Sequence, residues 1–115
     1  DESFKESIMK KLGDLESREI FELLMGKSHS NSEILKLLHL STTSGYRKIN
    51  NLIHDGFLIK SKSKIVESRR SVDLYVTFCN KLFIELQHKK LIIKVIVPKK
   101  YMESSSVFKS LLSFT

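Results

Sequence analysis

The apolar residues between positions 32 and 58 follow two helical patterns that a short polar turn separates. The first pattern is brief, with apolar residues at 34, 35, 37 and 38. The second has the spacing of a single helix face, i, i+4, i+7 and i+8, at Gly45, Ile49, Leu52 and Ile53. Its other side has hydrogen-bonding, aromatic and basic residues but no acidic one: Thr43, Tyr46, Arg47, Asn50 and His54. The pattern predicts a helix over 42–54 with one buried stripe and one polar face.

Residues that favour helix ends stand at the boundaries of these patterns. Ser30 or Asn31 can cap the first helix, and Ser41 can cap the second, because their side-chain oxygens accept from unpaired first-turn amides. Gly56 is expected to end the second helix. Gly45 is expected to let the two helices approach closely.

Two more helices are predicted upstream. Apolar residues at helical spacing between 4 and 12 predict a first helix that ends near Gly13. Asp14 is placed to cap a second helix, which we expect to continue to about Met25 and to close at Gly26. The apolar stripes of both helices are expected to pack in the core.

Residues 57–78 predict a β-hairpin with cationic exposed parts. The first strand is expected from Phe57 to Val66, and its alternating sequence KSKSK puts Lys60, Lys62 and Lys64 on one strand face. A polar turn at 67–71 follows, with Arg69 and Arg70 at its tip, and residues 73–78 return as the partner strand.

The segment from 80 to 97 allows two interpretations at its start. Residues 80–87 fit a helix with Leu82, Phe83 and Leu86 on one face, and they also fit an alternating strand. Residues 91–97 (LIIKVIV) are β-branched and predict a strand, with a turn at 88–90, so we choose a second hairpin. Pro98 ends it, and a short terminal helix is predicted over 101–114. The apolar character of 82–97 predicts a role in dimerisation or in contact with a partner protein.

The positive charge of the chain is concentrated in its middle. The 115 residues have a formal net charge of +7. Residues 1–26 have a net charge of −3, residues 27–70 a net charge of +6, and residues 71–115 a net charge of +4. A basic patch on one module is typical of proteins that bind polyanions.

The sequence contains no recognisable catalytic or metal-binding pattern. The four glycines are scattered, and the histidines at 29, 39, 54 and 88 have no ligand spacing with Cys79. We therefore expect no enzyme, no cofactor and no metal. Cys79 is either a redox switch or a buried inert thiol, and the second interpretation is favoured.

The expected location is the cytoplasm. No run of about 18 apolar residues occurs, so no membrane contact is expected. The first 25 residues mix charges, unlike a signal peptide, and the single cysteine fits a reducing compartment.

The segment 32–58 resembles the helix-turn-helix of prokaryotic and archaeal winged-helix transcription regulators. The resemblance depends on these residues: Glu33-Ile34, Leu38-x-Leu40-Ser41, Tyr46-Arg47-x-Ile49, Leu52 and Gly56-x-Leu58. With the hairpin that follows, it covers about half of the chain. Leu35 stands where the family often has a small residue, and His39 where it often has the turn glycine. A histidine can adopt the left-handed conformation of such a turn.

The resemblance implies an α+β fold, a winged helix-turn-helix with a three-helix core and a β-hairpin wing. Residues 1–79 would form this DNA-binding domain. Residues 80–115 exceed what a minimal winged helix needs, and their own pattern predicts an additional C-terminal β-hairpin and short helix, packed on the same domain as a candidate dimerisation element.

The implied function is that of a sequence-specific regulator of transcription that binds double-stranded DNA as a homodimer. The helix over 42–54 would enter the major groove, where Tyr46, Arg47 and Asn50 would reach base edges. Thr42, Thr43, Ser44 and Lys48 would hold phosphates. The wing over 60–70 would lie on the backbone or in the minor groove, using its cations: Lys60, Lys62, Lys64, Arg69 and Arg70.

Two alternatives stay open. A winged helix can serve as a protein–protein interaction module in a transcription or replication assembly, and its affinity would then reside in the apolar surfaces of 82–97 and 107–114. The second alternative is binding of structured RNA, which would use the same positive charges. Recognition of single strands is disfavoured, because the sequence lacks a pair of exposed aromatic residues on a sheet that could stack with bases.

Overall fold

The computed structural model describes residues 2–102 as an α+β arrangement. Four helices come first, two antiparallel β-hairpins follow, and a short 3₁₀ turn comes last. The elements are α1 (Glu2–Gly13), α2 (Leu15–Leu23), α3 (Asn31–Leu37), α4 (Thr42–His54), β1 (Leu58–Ile65), β2 (Ser71–Thr77), β3 (Lys81–Gln87), β4 (Lys90–Ile96) and the 3₁₀ turn Lys99–Tyr101.

The predicted helix caps are present. Asp14 Oδ2 accepts a hydrogen bond from the Ser17 amide at 2.9 Å and starts α2. Ser30, rather than Asn31, caps α3 in a capping box, in which Glu33 Oε1 accepts from the Ser30 amide at 2.8 Å. Helix α2 ends at Leu23, slightly before the predicted Met25, because the chain turns there and Gly26 reverses it at φ +79°.

The turn between α3 and α4 has a left-handed residue at His39, the position where the resembled family often has a glycine. His39 has φ +54°, and the Leu40 amide then binds the Leu35 carbonyl at 2.9 Å. Ser41 caps α4 through Oγ, which accepts from the Ser44 amide at 3.3 Å. Gly56 ends α4 with φ +84°. The helix-end predictions for this segment are confirmed.

A cluster of phenylalanines joins the helices to the first hairpin. The rings of Phe4, Phe21, Phe57 and Phe78 lie with centroids 6.0–6.5 Å apart. Around them the core buries residues from all four helices and from the strand ends: Ile8, Ile20, Leu24, Ile34, Ile49, Leu52, Leu58 and Cys79. Buried Thr77 fixes the end of β2 to α2, since its Oγ1 donates to the Phe21 carbonyl at 2.7 Å.

The first hairpin, β1–β2, corrects one expectation about the lysine row. Its register shifts between Lys60 and Lys62, where Lys60 pairs with Tyr75 and Lys62 with Leu74. Tyr75 and Leu74 are neighbours on one strand and point to opposite faces, so Lys60 and Lys62 do too. The prediction that three lysines share a face is therefore wrong. Only Lys62 and Lys64 share one, because a β-bulge at Ser61 interrupts the alternation.

Residues 80–97 form the second hairpin, β3–β4, and the strand interpretation is confirmed. A two-residue turn joins the strands, and both of its residues, His88 and Lys89, have positive φ angles of +51° and +62°. Positive φ at both positions defines a type I′ turn. At the base of the hairpin, apolar side chains pack against the core: Leu82, Ile93, Val95 and Val97.

The terminal part of the chain is described only as far as Met102. The 3₁₀ turn Lys99–Tyr101 overlaps the helix predicted over 101–114 at Tyr101 alone. The remainder of that predicted helix, from 103, lies outside the described residues. Among the helices of residues 2–102, none combines the length and the apolarity that a membrane crossing requires.

Candidate nucleic-acid interface

Helix α4 presents the polar face that its sequence predicts. Gly45, Ile49 and Leu52 are buried against the other helices. Thr43, Arg47 and Asn50 are exposed on the opposite side. No acidic residue occurs between 42 and 54, so this face has hydrogen-bond donors and acceptors and one guanidinium without a competing carboxylate.

The first turn of α4 has amides available to an anion. The first intrahelical bond runs from the Gly45 amide to the Ser41 carbonyl at 2.8 Å, and the Ser44 amide is capped by Ser41. The amides of Thr42 and Thr43 therefore precede the helical hydrogen bonds, at the positive end of the helix dipole. Both hydroxyls are exposed beside them, whereas Ser44 is half-buried.

Lys48 points away from this face and toward α2. Its Nζ forms ion pairs with Asp14 Oδ2 at 3.0 Å and with Glu16 Oε1 at 2.8 Å, and its side chain is 19 % exposed. The hydrogen bonds to Glu16 and Asp14 raise the pKa of Lys48. A contact between Lys48 and phosphate stays a prediction, and it requires that these two pairs break.

The carboxylate of Asp14 has two roles in the same cluster. It accepts from the Ser17 amide as the cap of α2 and also pairs with Lys48 of α4. These contacts, the Ser17 amide first, lower the pKa of Asp14 to about 2. Asp14 therefore ties the start of α2 to the side of α4.

Tyr46 lies on the flank of α4 and lines a cleft that α4 shares with the first hairpin. The cleft has a volume of about 610 Å³. Its walls come from the start of α3, from α4 and from the outer part of the hairpin: Ser30, Asn31, Ser32, Glu33, Tyr46, Lys64, Val66, Arg70, Ser71, Val72, Asp73 and Tyr75. The cleft thus joins the predicted base-reading helix to the predicted wing.

Two of the three hairpin lysines are paired with carboxylates. Lys60 Nζ lies 3.3 Å from Asp73 Oδ1 on the neighbouring strand. Lys64 Nζ lies 3.0 Å from Glu33 Oε2 of α3 and connects the hairpin to that helix. The Ser30 amide, and then Lys64, lower the pKa of Glu33 to about 2. Lys62 is exposed and has no carboxylate partner within residues 2–102.

The tip of the first hairpin exposes two arginines. The Val66 amide binds the Arg70 carbonyl at 3.1 Å, and the Arg69 amide binds the Val66 carbonyl at 2.8 Å. Arg69 closes this loop in the left-handed conformation, with φ +60°. Arg69 and Arg70 are both exposed, and their guanidinium groups have no carboxylate partner in the described part of the chain.

Sequence reasoning overlooked two residues of this surface. Asn51 is exposed on α4 one turn after Arg47, so a helical projection of the sequence could have included it. Tyr75 lines the cleft opposite Tyr46 and exchanges backbone hydrogen bonds with His29, at 2.9 and 3.1 Å. No local pattern signals that contact, because it joins residues 46 positions apart.

The remaining candidate chemistry lies away from this surface. Cys79 is fully buried, and burial raises the pKa of its thiol to about 12. Within residues 2–102, no group of three histidine, cysteine or acidic side chains converges as metal ligands.

Comparisons with protein-family models, with curated proteins and with solved structures found no match for this chain.

Proposed function

We propose that this chain is a winged helix-turn-helix protein that binds double-stranded DNA in a sequence-specific way and regulates transcription. The observation that carries the proposal is the shared cleft, which brings the flank of α4 at Tyr46 next to the cationic hairpin at Lys64 and Arg70. A duplex seated on α4 would meet the hairpin at the same time. A protein that binds in the major groove needs one helix to contact the bases and a nearby basic element to contact the DNA backbone. Here α4 would be that helix, and the first hairpin would be the basic element.

The order of elements supports the fold part of the proposal. Three helices precede a fourth that exposes a polar face, and a β-hairpin follows it directly. The buried stripe of α4 leaves this helix one free side. The ion pair between Lys64 and Glu33 holds the hairpin against α3, so that the hairpin has a defined position beside α4.

The contacts divide into reading and positioning roles. Arg47 and Asn50 are the residues we assign to base edges, because arginine pairs with guanine and asparagine with adenine through two hydrogen bonds each. Tyr46 would contact the duplex from the side of the cleft. Thr42 and Thr43 would bind a phosphate at the start of α4.

The unpaired cations are the ones we assign to the DNA backbone: Lys62, Arg69 and Arg70. They enter the complex without first losing an ion pair. Lys48, Lys60 and Lys64 would instead hold α4 and the hairpin in place through their carboxylate partners. The phosphate contacts that the sequence predicts for Lys48, Lys60 and Lys64 are therefore left out of this assignment.

The test measures binding of random and selected duplexes across a salt series. Arg47→Ala should cost about 1–3 kcal/mol on the selected duplex and relax the preference at one base pair. Lys62→Ala should weaken both duplexes alike and reduce the salt slope by about 1. Lys10→Ala is the matched control, since it removes one exposed lysine from α1. If no sequence is enriched and the salt slope is flat, the proposal is wrong.

A protein–protein interaction module is the second candidate function. The observation that favours it is the second hairpin, which exposes apolar side chains on both of its strands: Phe83, Ile84, Leu86 and Ile96. This function predicts weak duplex binding that Arg47→Ala does not change, together with affinity for a protein of the transcription or replication machinery that substitutions in this hairpin abolish.

A further inference from the structure

The outer edge of β3 is an open strand edge. Residues 81 and 83–87 are exposed, and Leu82 is half-buried. Within residues 2–102, β3 forms ladder hydrogen bonds with β4 alone. Strand β4 is more covered than β3, because residues 91–93 and 95 are half-buried and Leu91 and Ile92 border a cleft with Glu2 and Lys5 of α1. Unpaired edges of this kind are templates for pairing with another chain.

The first hairpin shows how an edge is protected in this same molecule. Strand β1 has a bulge at Ser61 and two lysines beyond it. Tyr75 of β2 is paired with His29 through two backbone hydrogen bonds. Strand β3 has no bulge, since its register with β4 runs without a shift from Lys81 to Gln87, and within residues 2–102 it has no second backbone partner. Because its residues are more exposed than those of β4, the edge of β3 is the one suited to association.

The type I′ turn determines which amides face outward. A two-residue turn makes Gln87 and Lys90 a hydrogen-bonded pair, and such pairs alternate along the ladder. Residues 81, 83, 85 and 87 therefore direct their amides and carbonyls to β4. Leu82, Ile84 and Leu86 direct theirs to the open edge.

We propose that β3 pairs antiparallel with β3 of a second copy of this chain, about a twofold axis at Phe83. In this register Leu82 and Ile84 exchange hydrogen bonds with Ile84 and Leu82 of the second copy. Phe83 then lies opposite Phe83 of the second copy. Lys81 of each copy lies opposite Glu85 of the other copy, so the pairing contains two such pairs. These are non-hydrogen-bonded pairs, in which opposing side chains lie closest.

Charge selects this register over its neighbours. Pairing shifted by one residue in each copy keeps the outward amides matched but sets Lys81 opposite Phe83 or opposite Gln87. Only the register centred on Phe83 sets Lys81 opposite an acidic residue, and it gives Glu85, which already pairs with Lys94 of its own chain at 3.7 Å, a second cation. This pairing gives a closed dimer. The twofold axis pairs the β3 edges of both copies with each other, so no β3 edge is left for a third copy.

The pairing also covers apolar surface. Ile84 is 43 % exposed and Phe83 is 47 % exposed in the single chain. In the pair, Ile84 lies beside Leu82 of the second copy, which packs on that copy's own core. This inference concerns self-association and does not depend on what α4 binds.

The experiment measures the mass of the full chain by sedimentation over a concentration series, without DNA. The single chain has a mass of 13.3 kDa, and the expected species has twice that mass. Lys81→Glu alone replaces two attractive pairs with two repulsive ones and should weaken association by at least about tenfold. Glu85→Lys should do the same between the copies, and it also removes the pair between Glu85 and Lys94 within the chain. The double variant K81E/E85K should restore association, and mixing the two single variants should give a heterodimer. Circular dichroism melting of each variant verifies that the fold is kept.

A cross-linking measurement tests the register directly. Phe83→Cys should form an intermolecular disulfide on oxidation, because residue 83 faces itself across the axis. Leu86→Cys is the matched control on the same strand, where it is 78 % exposed but faces Asn80 of the second copy. The native Cys79 is buried and does not compete. A chain that stays monomeric at every concentration overturns the proposal, and so does a dimer that is indifferent to both charge reversals.

Discussion

Leu35 of α3 occupies the space that Gly45 leaves open on α4. A Cβ atom added at Gly45 would collide with Leu35 Cδ2 and would lie 3.1 Å from the Cβ of Leu40. The sequence departs from the winged-helix pattern by having a bulky residue at 35, and the missing side chain at 45 accommodates it. The two positions therefore act as a pair that sets how closely α3 and α4 cross.

This pairing predicts coupling between the two positions in a double-mutant cycle. Gly45→Ala in the natural chain should lower the free energy of unfolding by about 1 kcal/mol, because overpacking of about 2 kcal/mol against Leu35 and Leu40 exceeds the helix-propensity gain of about 1 kcal/mol. In a Leu35→Ala background the loss should be smaller, since only the close contact with Leu40 Cβ remains. Chemical denaturation of the four proteins measures the cycle. Equal effects of Gly45→Ala in both backgrounds would contradict the packing argument.

Substitution of Arg69, whose backbone is left-handed, is predicted to have opposite effects on stability and on duplex binding. Arg69→Gly should raise the free energy of unfolding by about 1 kcal/mol, because glycine adopts a positive φ without the steric cost that arginine has. The same change should weaken duplex binding under the proposed function, since it removes an exposed cation from the hairpin tip. Thermal melting and a binding titration give the two results. Arg70→Gly is the control, and it should weaken binding without stabilising the fold.

The lowered pKa of Glu33 predicts that the folded chain loses stability in acid. Its pKa is about 2 in the folded chain and 4.5 when unperturbed, so the unfolded chain takes up a proton at the higher pH. The stabilisation is present above about pH 4.5 and is lost as the pH falls toward 2. Glu33→Gln keeps an acceptor for the Ser30 amide but cannot titrate, and it should make this part of the profile less steep, leaving the contribution of Asp14, whose pKa is also lowered to about 2.

The burial of Cys79 predicts that its thiol reacts slowly with alkylating reagents in the folded chain. Because the side chain is buried and its thiol pKa is raised to about 12, the reactive thiolate is scarce and shielded in the folded chain. Alkylation near neutral pH should be slow in the native protein and fast in denaturant. Rapid, stoichiometric alkylation of the native chain would favour the redox-switch alternative.

The two proposals together predict the form of a DNA site. If α4 reads DNA and β3 pairs about a twofold axis, the selected sequence should be an inverted repeat. Lys81→Glu should then weaken binding to the full repeat and leave binding to an isolated half-site unchanged. Loss of binding to both would mean that Lys81 contacts DNA directly. A single, asymmetric selected site would contradict the dimer but not the reading role of α4.

Local chemistry determines much of this fold. The caps at Asp14, Ser30 and Ser41 and the left-handed turn at His39 follow from residues within a few positions of each other. The buried stripe of α4 and the two hairpins follow from periodicity. These features depend on short-range sterics and hydrogen bonds, which a short stretch of sequence contains.

Tertiary structure decided which charged residues are free. Lys48 is paired with Asp14 and Glu16, and Lys64 with Glu33, across separations of 31 to 34 residues that no local pattern shows. The bulge at Ser61, which moves Lys60 off the lysine face, is a property of strand pairing rather than of β1 itself. The sequence by itself thus identified a basic helix and hairpin, but the cations left available to a ligand depend on contacts between distant segments, which exist only after the chain has packed.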